Sequence, residues 1–329
     1  MTAIDMHAHI IPPPLRDALR AREERPHLLP DGRFLMPVGV IPVHDGFWSM
    51  QDRLALMDAQ RVAMQVLSLP CLFGIDTLPP EDALPLTAAF NEGAAEFSAA
   101  RPDRFRWLAS LPLAAPQEAL ARLAQAMDDP ACLGVILPGD PFASLAGAQA
   151  MLPYLALIEQ RGGGLVFIHP GRSPGASPRP DPYPDLAFAR RQLDIQTSVA
   201  ETAITLLYSD LLVPFPRVQV HLANLAGTLP MVMERIDNTL ATRPEAGDAV
   251  PARLGRVLTD VASLGPAAIG LAARVLGPES LLFGTDCPIY DTEATNDAIA
   301  HAGIGPREVA MLRTENAARL IAATHRPVG

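Results

Sequence analysis

Ala3-Ile4-Asp5-Met6-His7-Ala8-His9 is the stretch whose reading decides the fold. Side chains alternate faces along a strand, so His7 and His9 point the same way, one pleat apart. Two imidazoles at that spacing can grip a single metal ion. The apolar Ala3-Ile4 start reads as a buried strand, and residues 10–14 end it. Two solvated histidines at a strand end would give the same pattern, so its weight depends on what recurs downstream.

Seven more short apolar runs follow, at residues 63–68, 105–110, 134–137, 165–169, 218–222, 256–260 and 281–285. Helical segments are expected over 16–25, 52–60, 80–101, 116–128, 144–161, 186–212 and 306–324, with proline in the first turn of the fourth. Gly162-Gly163-Gly164 reads as a helix stop, not a phosphate loop. Strands alternating with helices predict parallel βα units. Eight in series predict an α/β fold, a (β/α)8 TIM barrel, whose active site lies at the C-terminal ends of its strands. Residues 10–48 form a long insertion after the first strand, rich in proline and glycine. The insertion is expected to fold over the barrel mouth and bring His44, Phe47 or Trp48 to the pocket wall. Without a repeat or an interdomain linker, residues 1–329 read as one domain.

Composition narrows the function. A formal charge of −10 argues against a nucleic-acid partner. No apolar run reaches membrane-spanning length, the start lacks a secretory pattern, and Cys71, Cys132 and Cys287 are too scattered for a disulfide framework. A cytoplasmic protein is expected, with a small-molecule substrate, no membrane partner and room for a homodimer. All 26 basic residues are arginine. The absence of lysine excludes a Schiff base, a Walker lysine and a carboxylated lysine bridging two metals. One ion is therefore expected, not a bridged pair.

Candidate ligands fall at three predicted strand ends: His7 and His9 on the first, His169 on the fifth and Asp286 on the eighth. A barrel brings these ends to one mouth. Three imidazoles and a carboxylate suit zinc first, with manganese or iron as alternatives. Glu201 is a candidate partner for a ligand histidine. Phe47 and Trp48 could equally cover the core, Cys287 reads as an inert buried thiol, and His27, His301 and His325 as surface residues.

These motifs resemble the metal-site motifs of the amidohydrolase superfamily. His7-x-His9 after Ile4-Asp5, Phe167-Ile168-His169-Pro170 and Phe283-Gly284-Thr285-Asp286-x-Pro288 carry the likeness. It points to the amidohydrolase-related group that contains aminocarboxymuconate-semialdehyde decarboxylase. The resemblance implies that His7, His9, His169 and Asp286 ligate one divalent ion, that the ion acidifies a bound water, and that Asp286 takes its proton. Two positions depart from the family pattern. Asn224 stands where the family usually has an acid/base histidine after the sixth strand, and His44 is the nearest match to a carboxylate-holding arginine before Trp48. Strand alternation assigns Asn224 to the pocket, where it would assist an oxyanion, and turns His221 toward the helices.

The favoured expectation is a mononuclear metal-dependent hydrolase in which metal-bound hydroxide attacks an amide, lactone or ester of a small organic acid. The alternative is a non-oxidative decarboxylase of an aromatic or unsaturated carboxylic acid. A metal-binding barrel without catalysis is the third reading.

Overall fold

Strands that are apolar on both sides need cover on both faces, and a closed parallel sheet ringed by helices supplies it. The computed structural model describes residues 2–324 apart from 38, 177–184, 244–254 and 263. Strands β1 (Ala3–His9), β2 (His27–Leu28), β3 (Arg33–Leu35), β4 (Val40–Pro42), β5 (Val62–Ser68), β6 (Phe105–Ala109), β7 (Cys132–Pro138), β8 (Gly164–His169), β9 (Val218–Leu222), β10 (Val257–Asp260) and β11 (Leu281–Leu282) form two sheets. The large sheet is parallel and ordered β1-β5-β6-β7-β8-β9-β10-β11, as the (β/α)8 reading requires. Its two edges meet across a short seam. Met6 N–H donates to the Phe283 carbonyl at 2.9 Å, Asp286 N–H to that of His7 at 2.8 Å, and His9 N–H to that of Cys287 at 2.7 Å. The expected strand 281–285 is thus regular only over Leu281–Leu282, and its continuation pairs with β1 irregularly.

Apolar side chains divide between two clusters. One lies inside the barrel and includes Met6, Val66, Leu108, Ile136, Leu165, Phe167, Leu258 and Leu282. The other fills the layer between strands and helices. The last helix, Asn316–Thr324, adds Ala317 and Leu320 to the inner cluster, and Asn316 donates to the Leu281 carbonyl where β11 begins. It therefore covers the N-terminal end of the barrel, opposite the predicted ligands.

Several helix boundaries differ from expectation for local reasons. The helix expected over 16–25 runs from Pro13 to Ala21, because prolines fit a first helical turn that needs no N–H donors. The helix expected over 144–161 is broken into short pieces before Leu152–Gln160, where Pro153 opens a new first turn. Of the helical stretch expected over 186–212, a single helix, Ala187–Leu207, forms. The proline-rich loop expected from 170 to 184 lies partly outside the described residues, as does His325. The insertion carries the small antiparallel sheet β2-β3-β4, and Phe34 meets Phe73, beyond the end of β5, at 4.7 Å. Among the described residues no helix is long and apolar enough to cross a membrane.

Candidate metal centre

β1 delivers His7 and His9, β8 delivers His169, and the turn after β11 delivers Asp286. The structure brings these four side chains together. The three histidines each offer a ring nitrogen within 4.8 Å of the others. His7 Nε2 and His9 Nε2 are 3.1 Å apart. Asp286 Oδ1 lies 3.1 Å from His9 Nε2 and 3.6 Å from His7 Nε2. The histidines are buried, while the Asp286 side chain keeps 13% of its surface exposed. Asp286 sits at φ 58°, a left-handed conformation that aspartate tolerates better than most residues. Gly284 makes the close approach of β11 to its neighbours workable: a Cβ there would lie 2.8 Å from His7 Cβ and 2.7 Å from Asp260 Cβ.

The outer ring nitrogens define the tautomers. His7 Nδ1 is 3.0 Å from Asp260 Oδ2, and His169 Nδ1 is 2.8 Å from the Pro170 carbonyl. His9 Nδ1 is 3.2 Å from the Ser68 carbonyl and 3.0 Å from its hydroxyl. A carboxylate and two carbonyls only accept, so each Nδ1 carries the proton and each Nε2 presents a lone pair inward. Asp286 Oδ1 is buried and, among the described residues, takes no hydrogen bond. Two of these lone pairs and the orphaned carboxylate oxygen converge at 3.1–3.6 Å, with a ring nitrogen of His169 within 4.8 Å of those of His7 and His9, an arrangement that suits a cation. Ligands about 2.0–2.1 Å from a tetrahedral ion lie about 3.3 Å from one another. The donor set therefore fits one divalent metal.

Electrostatics point the same way. Burial works against a charged His7, but Asp260, Asp286 and Asp5 outweigh it and raise the ring to about 9. Burial holds His9 below the usual histidine range despite Asp286, and His169 well below it, helped by its two histidine neighbours. The carboxylates thus favour one positive charge at the Nε2 atoms, which a bound cation would supply in place of a proton on His7, while His9 and His169 stay neutral.

Behind the histidines lies a buried network that sequence reasoning missed. Asp5 Oδ1 accepts from the N–H groups of His7 (3.2 Å) and Thr285 (3.1 Å), and Oδ2 from Thr285 Oγ1 (2.7 Å) and Gln65 Nε2 (3.0 Å). Arg53, only 1% exposed, donates to Gln65 Oε1 at 3.0 Å, to the His9 carbonyl at 2.6 Å and to the Gly46 carbonyl at 2.8 Å. One chain of hydrogen bonds therefore backs both β1 and the turn that carries Asp286, and ties the insertion to them. Burial pushes Asp5 up to about 6 against the bonds from Thr285, Gln65 and His7.

Three expectations need correction or placement. His221 does not face the helices. It pairs in register with Phe167, its ring stacks on that residue at 4.1 Å, and its Nε2 meets Asp260 Oδ2 at 2.7 Å inside the barrel. Val218, Val220 and Leu222 take the helix-facing side instead. The inward face of β9 is thus 219 and 221, continued by Ala223 just past the strand. Counting back from Asn224 inverted it, because the chain has left the strand by then and runs through three left-handed residues, Asn224, Leu225 and Ala226. Asn224 sends its amide to the Ala262 carbonyl at 3.2 Å. Glu201 is not the partner of a ligand histidine: Asp260, Ser68 and Pro170 fill those places. Among the described residues, no hydrogen bond or ring contact joins His44, Phe47 or Trp48 to the three histidines. His44 is exposed and caps a turn by accepting from Gly46 N–H at 3.1 Å. Phe47 packs in the outer core, with its carbonyl on Ile11 N–H at 2.9 Å. Trp48 donates to Asp45 Oδ1 at 3.0 Å, with Arg16 and Arg20 each 5.7 Å from its ring. Asp260 was readable by the rule that selected His169: it is a polar residue ending an apolar strand.

Known proteins share this architecture. A sequence profile described as amidohydrolase matches residues 4–322. The chain is 22% identical over 303 residues to 2-amino-3-carboxymuconate-6-semialdehyde decarboxylase of Dictyostelium discoideum, covering 87% of this chain and 81% of that protein. It is 26% identical over 308 residues to 6-methylsalicylic acid decarboxylase of Penicillium expansum, covering 91% and 87%. The crystal structure of a dihydroxybenzoic acid decarboxylase from Polaromonas sp. JS666, with bound manganese and the inhibitor 2-nitroresorcinol, superposes with a TM-score of 0.67 at 17% identity, covering 98% of this chain and 97% of that one. That likeness establishes the shared barrel. With the profile filled from the first strand to the last helix, the chain belongs to the amidohydrolase family and is an enzyme of the hydrolase or carboxy-lyase kind.

Proposed function

We propose that the protein is a metal-dependent, non-oxidative decarboxylase of a small aromatic or unsaturated carboxylic acid. The observation that carries this is the likeness, over 87% and 91% of the chain, to decarboxylases from two organisms, combined with an assembled donor set of three histidines and an aspartate. His7, His9, His169 and Asp286 would hold the ion, and Zn2+ and Mn2+ both suit three nitrogens and an oxygen. The manganese of the Polaromonas structure favours Mn2+ as the first to test. When bound, the ion supplies a Lewis acid that stabilises negative charge developing on substrate oxygens.

The chain's own residues then have defined tasks. Asp260, Ser68 and the Pro170 carbonyl orient the three rings. The Asp5–Gln65–Arg53 network keeps β1 and the Asp286 turn in register. Asp286, the partly exposed acid of the cluster, is the group placed to hand over a proton. The carbon–carboxylate bond breaks and its electron pair stays on carbon; a solvent proton passed on through Asp286 joins that carbon, carbon dioxide leaves, and Asp286 ends as the carboxylate it began as. Asn224 has no proton to shuttle, and here it assists by fixing the turn after β9.

Incubating Mn2+-loaded protein with hydroxybenzoates in D2O containing labelled water tests the reading. Carbon dioxide release, with one deuterium at the vacated carbon, is expected. Incorporation of solvent oxygen into an ester, lactone or amide product, without carbon dioxide, would make the enzyme a hydrolase.

A further inference from the structure

His221 is fully buried, and neither the ligand set nor the proton path uses it. Its surroundings are specific. Nε2 meets Asp260 Oδ2 at 2.7 Å, and the same oxygen lies 3.0 Å from His7 Nδ1. Asp260 Oδ1 accepts from Ala262 N–H at 2.9 Å and Asn224 N–H at 3.4 Å. His221 Nδ1 has no hydrogen-bond partner among the described residues. The ring lies against Phe167 with an interplanar angle of 11°, and Phe167 also meets His7 edge-on at 4.9 Å.

We propose that His221 is a positioning residue for the metal centre: by donating through Nε2 it fixes Asp260, which holds His7 with its proton on Nδ1 and its Nε2 lone pair turned to the ion. The inference rests on the metal reading above and not on the identity of the reaction. Two donors on one carboxylate oxygen spread its charge and pin its rotation, so Asp260 does not withdraw the His7 proton. With Nδ1 unpartnered, His221 carries its single proton on Nε2 and stays neutral; burial pushes it the same way. Neutrality matters for charge balance. Asp286 beside the ion and Asp260 behind His7 together match a divalent cation, and a cationic His221 would upset that match.

A purely space-filling role is the competing account, and two variants separate them. His221→Leu keeps bulk and loses the donor, whereas His221→Gln places an amide donor near the position of Nε2. Mn2+ affinity is measured by competition with a chromogenic chelator, alongside thermal unfolding of the metal-free proteins. His221→Leu is expected to weaken Mn2+ roughly 10- to 100-fold, with His221→Gln recovering to within about threefold of the parent. Parent-like affinity in the leucine variant, or equal losses in both, would overturn the proposal. Should the leucine variant not fold, His221→Asn replaces it, since its shorter amide does not reach Asp260. Equal affinity of the asparagine and glutamine variants then counts against the proposal, and a tenfold gap counts for it. No substrate enters the assay, so a failed decarboxylation test leaves it intact. A parent protein that binds no Mn2+ overturns the metal reading and this inference together.

Discussion

β8 and β9 are neighbours that each put a histidine on the inner face of the barrel, yet the two residues do different work. In the parallel register Phe167 is level with His221, so His169 stands one pleat nearer the mouth. That single step separates a ring whose Nε2 joins the ligand cluster from one that reaches it only through Asp260. Barrel interiors are built in layers of side chains from alternate strands, and the layer decides the role. Residue type and face are shared; depth is not.

The sharpest way to break this comparison is at the β8 end. His169→Ala should lose most bound metal and lower turnover by roughly 10³-fold or more, the cost of several kcal/mol of transition-state stabilisation. Elemental analysis and kcat at saturating substrate check it. Full metal content with normal turnover would make the end of β8 no more a ligand position than His221.

A smaller effect is expected behind the cluster. Arg53 donates to the carbonyls of His9 and Gly46 and to Gln65, and Arg53→Met leaves all three acceptors short of that donor. A loss of roughly 2–4 kcal/mol is expected in urea unfolding, because buried acceptors lose their partner where water does not replace it. A midpoint unchanged from the parent would mean that the network behind the ligands carries no stability.

The smallest effect contrasts two buried aspartates. Asp260 gathers donors on both oxygens, and although burial opposes it, His7 and His221 hold it far below the usual carboxylate range. Asp76, beyond the end of β5, has no hydrogen bond on either oxygen among the described residues, and burial pushes it up to about 7. Between its ordinary value of 3.8 and that value, the folded chain keeps a proton that the unfolded chain has released. Stability therefore falls as pH rises across that window, and the penalty is complete above it. Asp76→Asn should stabilise the protein by roughly 1–3 kcal/mol at pH 8 and by little at pH 3.5. An equal gain at both would show that Asp76 is not the titrating group.

The sequence made the barrel and its ligands legible for a physical reason. Parallel strands buried on both faces read as apolar runs, and polar residues that end such runs stand out. His7, His9, His169 and Asp286 were visible by that contrast. The layer behind them was not. Asp260 ends an apolar strand as His169 does, but its partners lie 253 and 39 residues away and nothing local names them, and Arg53 sits in a helix where an arginine reads as a surface residue. The face of His221 comes out inverted when alternation is counted from Asn224, because β9 ends at Leu222 and the chain beyond it no longer alternates.

The seam has a consequence for how the molecule is made. His7 and His9 are synthesised nearly 280 residues before Thr285, Asp286 and Cys287, which bond to the same few residues of β1. Closing that loop carries an entropic cost that is recovered only once the last strand has docked. While the intervening residues are made, His7 and His9 therefore wait beside an open sheet edge, without their carboxylate partner. Ring closure and completion of the ligand set are one event, so a nascent chain gains its chemistry only when the βα unit that carries Asp286 has folded.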